Sequence, residues 1–523
     1  MRSLPTKDYE FIVIGGGTAG SLLARLLAQR GSGPVALIEA GRDSTDVRTR
    51  VPAYYPRTFG SQLDWGFTTA PQSGLNERRL AWPRGKILGG SAAINALIYL
   101  QAADADFNRW AQHGCAGWNW QSIRSSMTPP SERAEYTCPH SGLTIGKLID
   151  PHPWSEVFLT AAESWGLKLR TRWLEAESDT FGMYSLTQHN GQRVHTGQQL
   201  SETCLPNLDV YQCSEVIRLK LHSQRIVALE MRDGNKQFVS LPTHGKVILS
   251  AGTVGSPTIL LRSGIGPAKH LQAIGLPVYH ELPGVGENLQ DHLVYPLIFK
   301  SRRGVGLPHR FSGHQRQTFR QRGQGPLASN IAEAGALFSA GDSGVPEYQL
   351  HFTPTHYLKY PFISTTNEHF SIALTDLHPR SRGTLRLQSH DPEAAPLIDP
   401  SYLRESVDVD RLISGVTICR ELAEQPSLRE LIADELLPGS KREHGQAILR
   451  SVRTFSQSIY HPVGTCRMGS DAMAVVTPHL QVHGIANLHI ADASVLPDLP
   501  SANTNAVTLY IAARAANNLL SDA

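Results

Sequence analysis

The residues whose types could do chemistry gather at the two ends of this 523-residue chain. Near the C-terminus stand Tyr460-His461-Pro462-Val463-Gly464-Thr465-Cys466-Arg467-Met468-Gly469, then Leu488-His489-Ile490-Ala491-Asp492, then Ser501-Ala502-Asn503-Thr504-Asn505. A neutral imidazole titrates near pH 7 and can take a proton there, and the Pro462 and Gly464 that follow His461 can shape its loop. A histidine beside such a turn is more often structural than catalytic. It becomes a candidate base only if something at the far end of the chain supplies a reaction partner.

The N-terminal stretch supplies one. Residues 9–14 read as a buried strand, followed by Gly15-Gly16-Gly17-Thr18-Ala19-Gly20, a helix over about 21–30, and a second strand at 35–38 ending in Glu39. This is the order of a Rossmann βαβ start. Gly15 permits the tight turn, Gly17 lets backbone approach a pyrophosphate, Gly20 lets helix and strand pack closely, and the helix N-terminus with Thr18 and Ala19 offers amide donors. Glu39, at the end of the second strand, can accept both hydroxyls of a ribose diol. The pattern names a dinucleotide and leaves NAD and FAD open.

Other stretches must position these groups. Gly85-Lys86-Ile87-Leu88-Gly89-Gly90-Ser91-Ala92-Ala93-Ile94-Asn95 is a second glycine-rich turn, expected to run into a helix. Residues 246–252 read as a buried strand ending in Ala251 and Gly252, and residues 284–292 as a third polar-glycine turn. The last helix starts near Asn505 and buries one face through Val507, Ile511, Ala515 and Leu519, which recur every four residues. Asn503 reads as an ordinary helix cap.

Length exceeds what one core comfortably fills, so two domains are expected. Net charge is +3 without a long basic block, which excludes a nucleic-acid footprint. The start of the chain is polar and reads as neither signal peptide nor membrane span, which points to the cytoplasm. Six cysteines, at 115, 138, 204, 213, 419 and 466, lack metal-ligand spacing and read as reduced core thiols, with no metal site.

The chain resembles the glucose-methanol-choline (GMC) oxidoreductases. Residues 85–95 resemble the first signature of that family and 252–266 its second, while the stretches around 460–469 and 492–506 resemble its C-terminal active-site segments. The likeness runs through nearly the whole chain and is greatest to acceptor-dependent primary alcohol dehydrogenases and choline dehydrogenase-like proteins. Ala92 and Val507 depart from the usual residues, both conservatively. The resemblance implies an α/β fold: a Rossmann-type FAD-binding domain (1–149, 205–299 and 452–523) with a discontinuous substrate domain (150–204 and 300–451) built on an antiparallel sheet with helices. Alternation at 348–352 and 384–387 suits such a sheet. The segment 301–323 reads as a mobile loop, either plainly solvated or lying over the pocket mouth, a membrane or a partner.

The same resemblance implies FAD, held noncovalently because Ile94 stands where some members carry a linking histidine. It places the catalytic histidine at His461 and the second catalytic position at Asn505. An amide there can orient but cannot act as base. It also brings Gly89, Gly90, Asn95, Val216, Ala251, Gly252, Asp492, Ala493, Asn503 and Thr504 to the cofactor, with the last helix aimed at the flavin N1 and C2 carbonyl, a dipole worth ~1 kcal/mol. Tyr460 reads as a pocket residue and Arg467 as structural. The implied reaction is oxidation of a primary alcohol to an aldehyde by hydride transfer to flavin N5, with electrons passed to a quinone or another acceptor. An O2-using alcohol oxidase is the alternative, and a lyase or decarboxylase on the same fold is a third. Peripheral contact with the inner membrane face would accompany a quinone acceptor. Substrate identity and oligomeric state are not written in the sequence.

Overall fold

A computed structural model describes all residues except 1–6, 32, 44, 128–135, 172, 233–237, 243, 342–343, 359–366, 444 and 522–523. The first six residues, read above for targeting, therefore lie outside it. No helix among the described residues is long and apolar enough to cross a membrane.

The first domain is organised on a five-stranded parallel sheet in the order 208–211, 35–38, 11–14, 246–249, 488–490. The strands Phe11–Ile14 and Val35–Ile38 are buried along their whole length, as continuous apolar runs must be when helices cover both faces. The helix Thr18–Arg30 begins three residues earlier than the sequence pattern suggests, because the glycine loop itself enters the first turn. It packs against the C-terminal helix Thr504–Ser521. There Val507, Ile511, Ala515 and Leu519 are buried as expected. So are Ala506, Leu509, Ala512 and Ala516, so the helix is embedded on nearly all sides. The first and last segments of the chain thus meet in the middle of one domain.

The second sheet is large and mainly antiparallel, running 432–437, 293–301, 369–376, 348–353, 334–338, 180–183, with a short parallel strand at 168–169 beyond and 457–458 paired to the start of 293–301. It contains the strand Leu293–Ser301, which the expected boundary near 299 would split. Tyr348–Thr353 is buried on both faces rather than alternating.

Several expectations are corrected. Residues 384–386 pair with 397–399 in a separate two-stranded ribbon, not in the large sheet. The glycine-rich turn at 85–95 includes a short 3-10 turn, Gly90–Ala93, and then continues irregularly, with Leu97 in the left-handed region. The expected helix does not form, because Arg193 captures the carbonyls of Ala92 and Asn95 and the Asn95 side chain. The supposed mobile loop contains the helix Gly313–Arg322, closed by a Ser312/Gln315 capping box and by Gly323 in the left-handed region. Phe311 and Phe319 pin it to Val51, Ala53, Leu327 and Ala328. Cys115, Cys138, Cys419 and Cys466 are buried thiols, but Cys204 and Cys213 are exposed.

Candidate active site

A cavity of about 810 Å³ runs from the glycine loop to His461, within the range of cofactor and ligand sites. Its first end is made of backbone. Gly15 has φ +98°, and a Cβ on Gly20 would sit 1.8 Å from the Gly15 carbonyl oxygen, so helix and loop touch only because neither carries a side chain. A Cβ on Gly90 would stand 2.6 Å from Gly17 Cα, which lays the second glycine turn against the first. Above Gly17 itself there is space: the nearest atom to its added Cβ is 3.8 Å away.

Glu39 closes this end. Its two oxygens accept the amides of Gly16 and Gly41, each at 2.7 Å, and burial pushes its carboxyl up to about 7. Three helices begin on the cavity wall, at Thr18, Gly252 and Thr504, and bring positive dipole ends to it. Asp492 also lines the wall. Its carboxylate is held by the Gly252 amide at 2.9 Å, Ser256 Oγ at 2.6 Å and the Ser494 amide at 2.8 Å, and burial raises its pKa.

The second end is made of side chains from distant segments. His461 Nδ1 lies 3.0 Å from His292 Nδ1, and His292 Nε2 lies 3.1 Å from the Leu377 carbonyl. A carbonyl accepts only, so His292 must carry its proton on Nε2 and accept at Nδ1. His461 then donates from Nδ1, and its Nε2 keeps a lone pair. Asn503 Nδ2 donates to that Nε2 at 3.2 Å, and the amide cannot flip without losing Gln349 Nε2, which donates to Asn503 Oδ1 at 3.2 Å. Every proton in the chain from Leu377 to Gln349 is thereby assigned. Burial, with His292, His351 and Arg84 nearby, holds His461 well below the usual histidine value, so it is neutral near pH 7.

Around the ring the wall is aromatic and aliphatic: Tyr55, Phe59, Ile94, Tyr357 and Tyr460. His351 is there too, buried and stacked on Tyr184, with neither ring nitrogen hydrogen-bonded among the described residues.

Sequence models described as GMC oxidoreductase match residues 9–294 and 379–512. The chain belongs to the GMC oxidoreductase family. It is 35% identical to an alcohol dehydrogenase [acceptor] of Pseudomonas putida, over 97% of this chain and 95% of that one, and 32% identical to the mitochondrial choline dehydrogenase of Mus musculus, over 99% and 90%. Its structure superposes on the crystal structure of pyridoxine 4-oxidase from Mesorbium loti with a TM-score of 0.87 at 28% identity, covering 98% and 99% of the two chains. A formate oxidase at 22% identity and TM-score 0.90 shares the fold. GMC oxidoreductases are FAD enzymes, and the open cradle at Gly17, the amide-rich helix starts and the length of the cavity fit that cofactor.

Of the residues expected at the site of this GMC oxidoreductase, Gly15, Gly17, Thr18, Ala19, Glu39, Gly90, Asn95, Val216, Ala251, Gly252, Asp492, Ala493, Asn503, Thr504, Asn505 and His461 line the cavity. Gly20 and Gly89 do not; they permit close packing, Gly89 against the His195 ring. Beside His461 the structure sets Asn503 rather than the expected Asn505. The amide bonded to His461 is Asn503, whereas Asn505 lines the wall without such a bond. Asn503 is therefore more than a helix cap. Tyr460 lines the cavity as expected, and Arg467 forms an ion pair with Asp471. Sequence reasoning gave no role to His292, His351 or Gln349. The adjacent Asp291-His292, at the end of a polar-glycine turn and before an apolar strand, is the one signal that could have exposed the first.

Proposed function

We propose that this GMC oxidoreductase oxidises a neutral primary alcohol to the aldehyde, with His461 as the base and Asn503 beside it, and delivers the electrons to a quinone or another acceptor. The observation that carries this reading is that His461 Nε2 is the ring nitrogen left as an acceptor, bonded to Asn503 on the wall of a cavity that fits FAD. Bound there, FAD supplies the two-electron acceptor for the hydrogen leaving the carbinol carbon.

The residues prepare the hydroxyl for that loss. Burial keeps His461 neutral and ready, yet it also opposes an isolated imidazolium. The alkoxide formed alongside supplies the compensating charge, and Asn503 Nδ2 is placed to donate to it once the proton has moved to Nε2. His292 goes on accepting from Nδ1 throughout, so the ring does not rotate. Gly15, Gly17, Glu39, the amides at Gly252 and Thr504, and Asn95 would hold the cofactor. Ile94, an aliphatic residue on the wall, supports noncovalent attachment.

Substrate class follows from charge. Glu39 and Asp492 are engaged with backbone amides, Glu215 and Glu393 lie by Arg262, and of the groups that act on His461 the two histidines His292 and His351 are held neutral by burial, leaving Arg84 as the charge. Among the described residues a quaternary ammonium would find aromatic faces on the cavity wall but no unengaged carboxylate, so neutral aliphatic or aryl alcohols fit better than choline.

The test is an anaerobic screen of alcohols for loss of the 450 nm flavin band, with oxygen uptake measured beside dye reduction. Choline bleaching the flavin as well as neutral alcohols would overturn the substrate class. Oxygen uptake matching dye reduction would replace the acceptor reading with an oxidase. Acid precipitation should release all FAD into the supernatant; yellow protein in the pellet would refute noncovalent binding.

A further inference from the structure

Tyr460, the residue before the base, has φ +69°, a left-handed conformation that bulky side chains rarely adopt and that persists only where its surroundings enforce it. Every polar backbone group around it is pinned. Its amide donates to Ser458 Oγ at 2.8 Å, its carbonyl accepts from Arg84 Nη2 at 2.7 Å, and the next amide, that of His461, donates to Asp291 Oδ1 at 2.7 Å. The other oxygen of Asp291 takes the hydroxyls of Ser458 and Tyr402, and Trp82 Nε1 donates to the Tyr402 oxygen at 3.1 Å. Asp291 is buried and is not part of the cavity wall. Its neighbour His292 holds the ring of the same His461. Two consecutive residues therefore grip residue 461 by backbone and by side chain.

We infer that ionised Asp291 is the positioning residue that keeps Tyr460 left-handed and so aims His461, and that protonating Asp291 releases the base. Three donors, one N–H and two O–H, converge on it. The carboxylate accepts from all three at once, whereas a protonated one would turn its own O–H onto one of the hydroxyls and make that hydroxyl reorient. The groups facing it are Ser458, Tyr402, Tyr460, the His461 amide and the cation Arg84, and burial brings its carboxyl up to about 6. This rests on His461 being the base.

The experiment follows the limiting rate of anaerobic flavin reduction by a saturating neutral alcohol, from about pH 5 to about pH 9, in the holoenzyme and two variants. The wild-type rate should fall as pH drops through about 6, although His461 itself titrates well below its usual value. Asp291→Asn should be slower by at least ~10-fold above about pH 7 and converge on the wild-type rate at the acid end, without that acid limb and with flavin content and KM retained. Tyr402→Phe removes a bond that favours the ionised form, so its limb should move to higher pH. It decides the matter if Asp291→Asn does not fold. A wild-type rate level to about pH 5, an Asp291→Asn variant that keeps the limb or the full rate, or an unmoved limb in Tyr402→Phe would each overturn the inference. Normal bleaching in His461→Ala would instead sink the reading beneath it.

Discussion

The two ends of the cavity are built on opposite plans. At the glycine end the chain uses backbone amides, missing side chains and Glu39, with its core in residues 15–41 and the Gly90 turn laid against it, and it works by leaving room. At the histidine end it uses side-chain atoms from residues 292, 349, 461 and 503, and it works by filling room. The core of the first can be formed by a single βαβ unit. The second exists only when a parallel sheet and an antiparallel sheet have docked. A binding loop is therefore local and tolerant of what surrounds it, whereas a base with one assigned lone pair is a property of the whole fold.

Substitutions can break that contrast, the most damaging first. Gly20→Ala should abolish stable holoprotein, because its Cβ would lie 1.8 Å from the Gly15 oxygen. Gly17→Val should fold but stay colourless, since the backbone there has φ −76° and the nearest protein atom to the new Cβ is 3.8 Å off, leaving the side chain in the pyrophosphate's path. Melting curves and visible spectra separate the two, and a yellow Gly17→Val protein would dissolve the distinction. His461→Ala should keep its FAD yet bleach at least ~100-fold more slowly; unchanged bleaching would take the base from the histidine end. Asn503→Ala should cost about 10-fold in the same assay, in the range of one lost hydrogen bond to a charged group. Asn505→Ala should change it by less than about 3-fold, and the reverse order would restore Asn505 to the second position. His292→Phe leaves the His461 Nδ1–H without a buried acceptor and should lower stability by about 1–3 kcal/mol, measured by denaturant unfolding, while the flavin stays bound.

What could be read in advance follows the same division. The strand, glycine loop, helix and Glu39 were legible because βαβ geometry is local and glycine positions report backbone clearances directly. The embedded C-terminal helix was legible from its apolar period. Asn505 was preferred over Asn503 because sequence likeness fixes a neighbourhood rather than a direction. Near a helix start each residue turns the side chain by about 100°, so two positions along points elsewhere. The helix at 313–322 escaped notice since only Phe319 in it is buried and charge dominates the rest. After the turn at 85–95 a single arginine, Arg193, overrode a helical composition by claiming three acceptors on Ala92 and Asn95.

By itself the sequence determined a dinucleotide-type opening and a histidine segment with its family, because these rest on residue types at fixed spacing. Tertiary structure alone decided which amide meets His461, which of its nitrogens is the acceptor, and that His292 and Asp291 hold it. Those facts depend on the register between strands far apart in the chain, and hydrogen-bond direction is sensitive to shifts smaller than one residue.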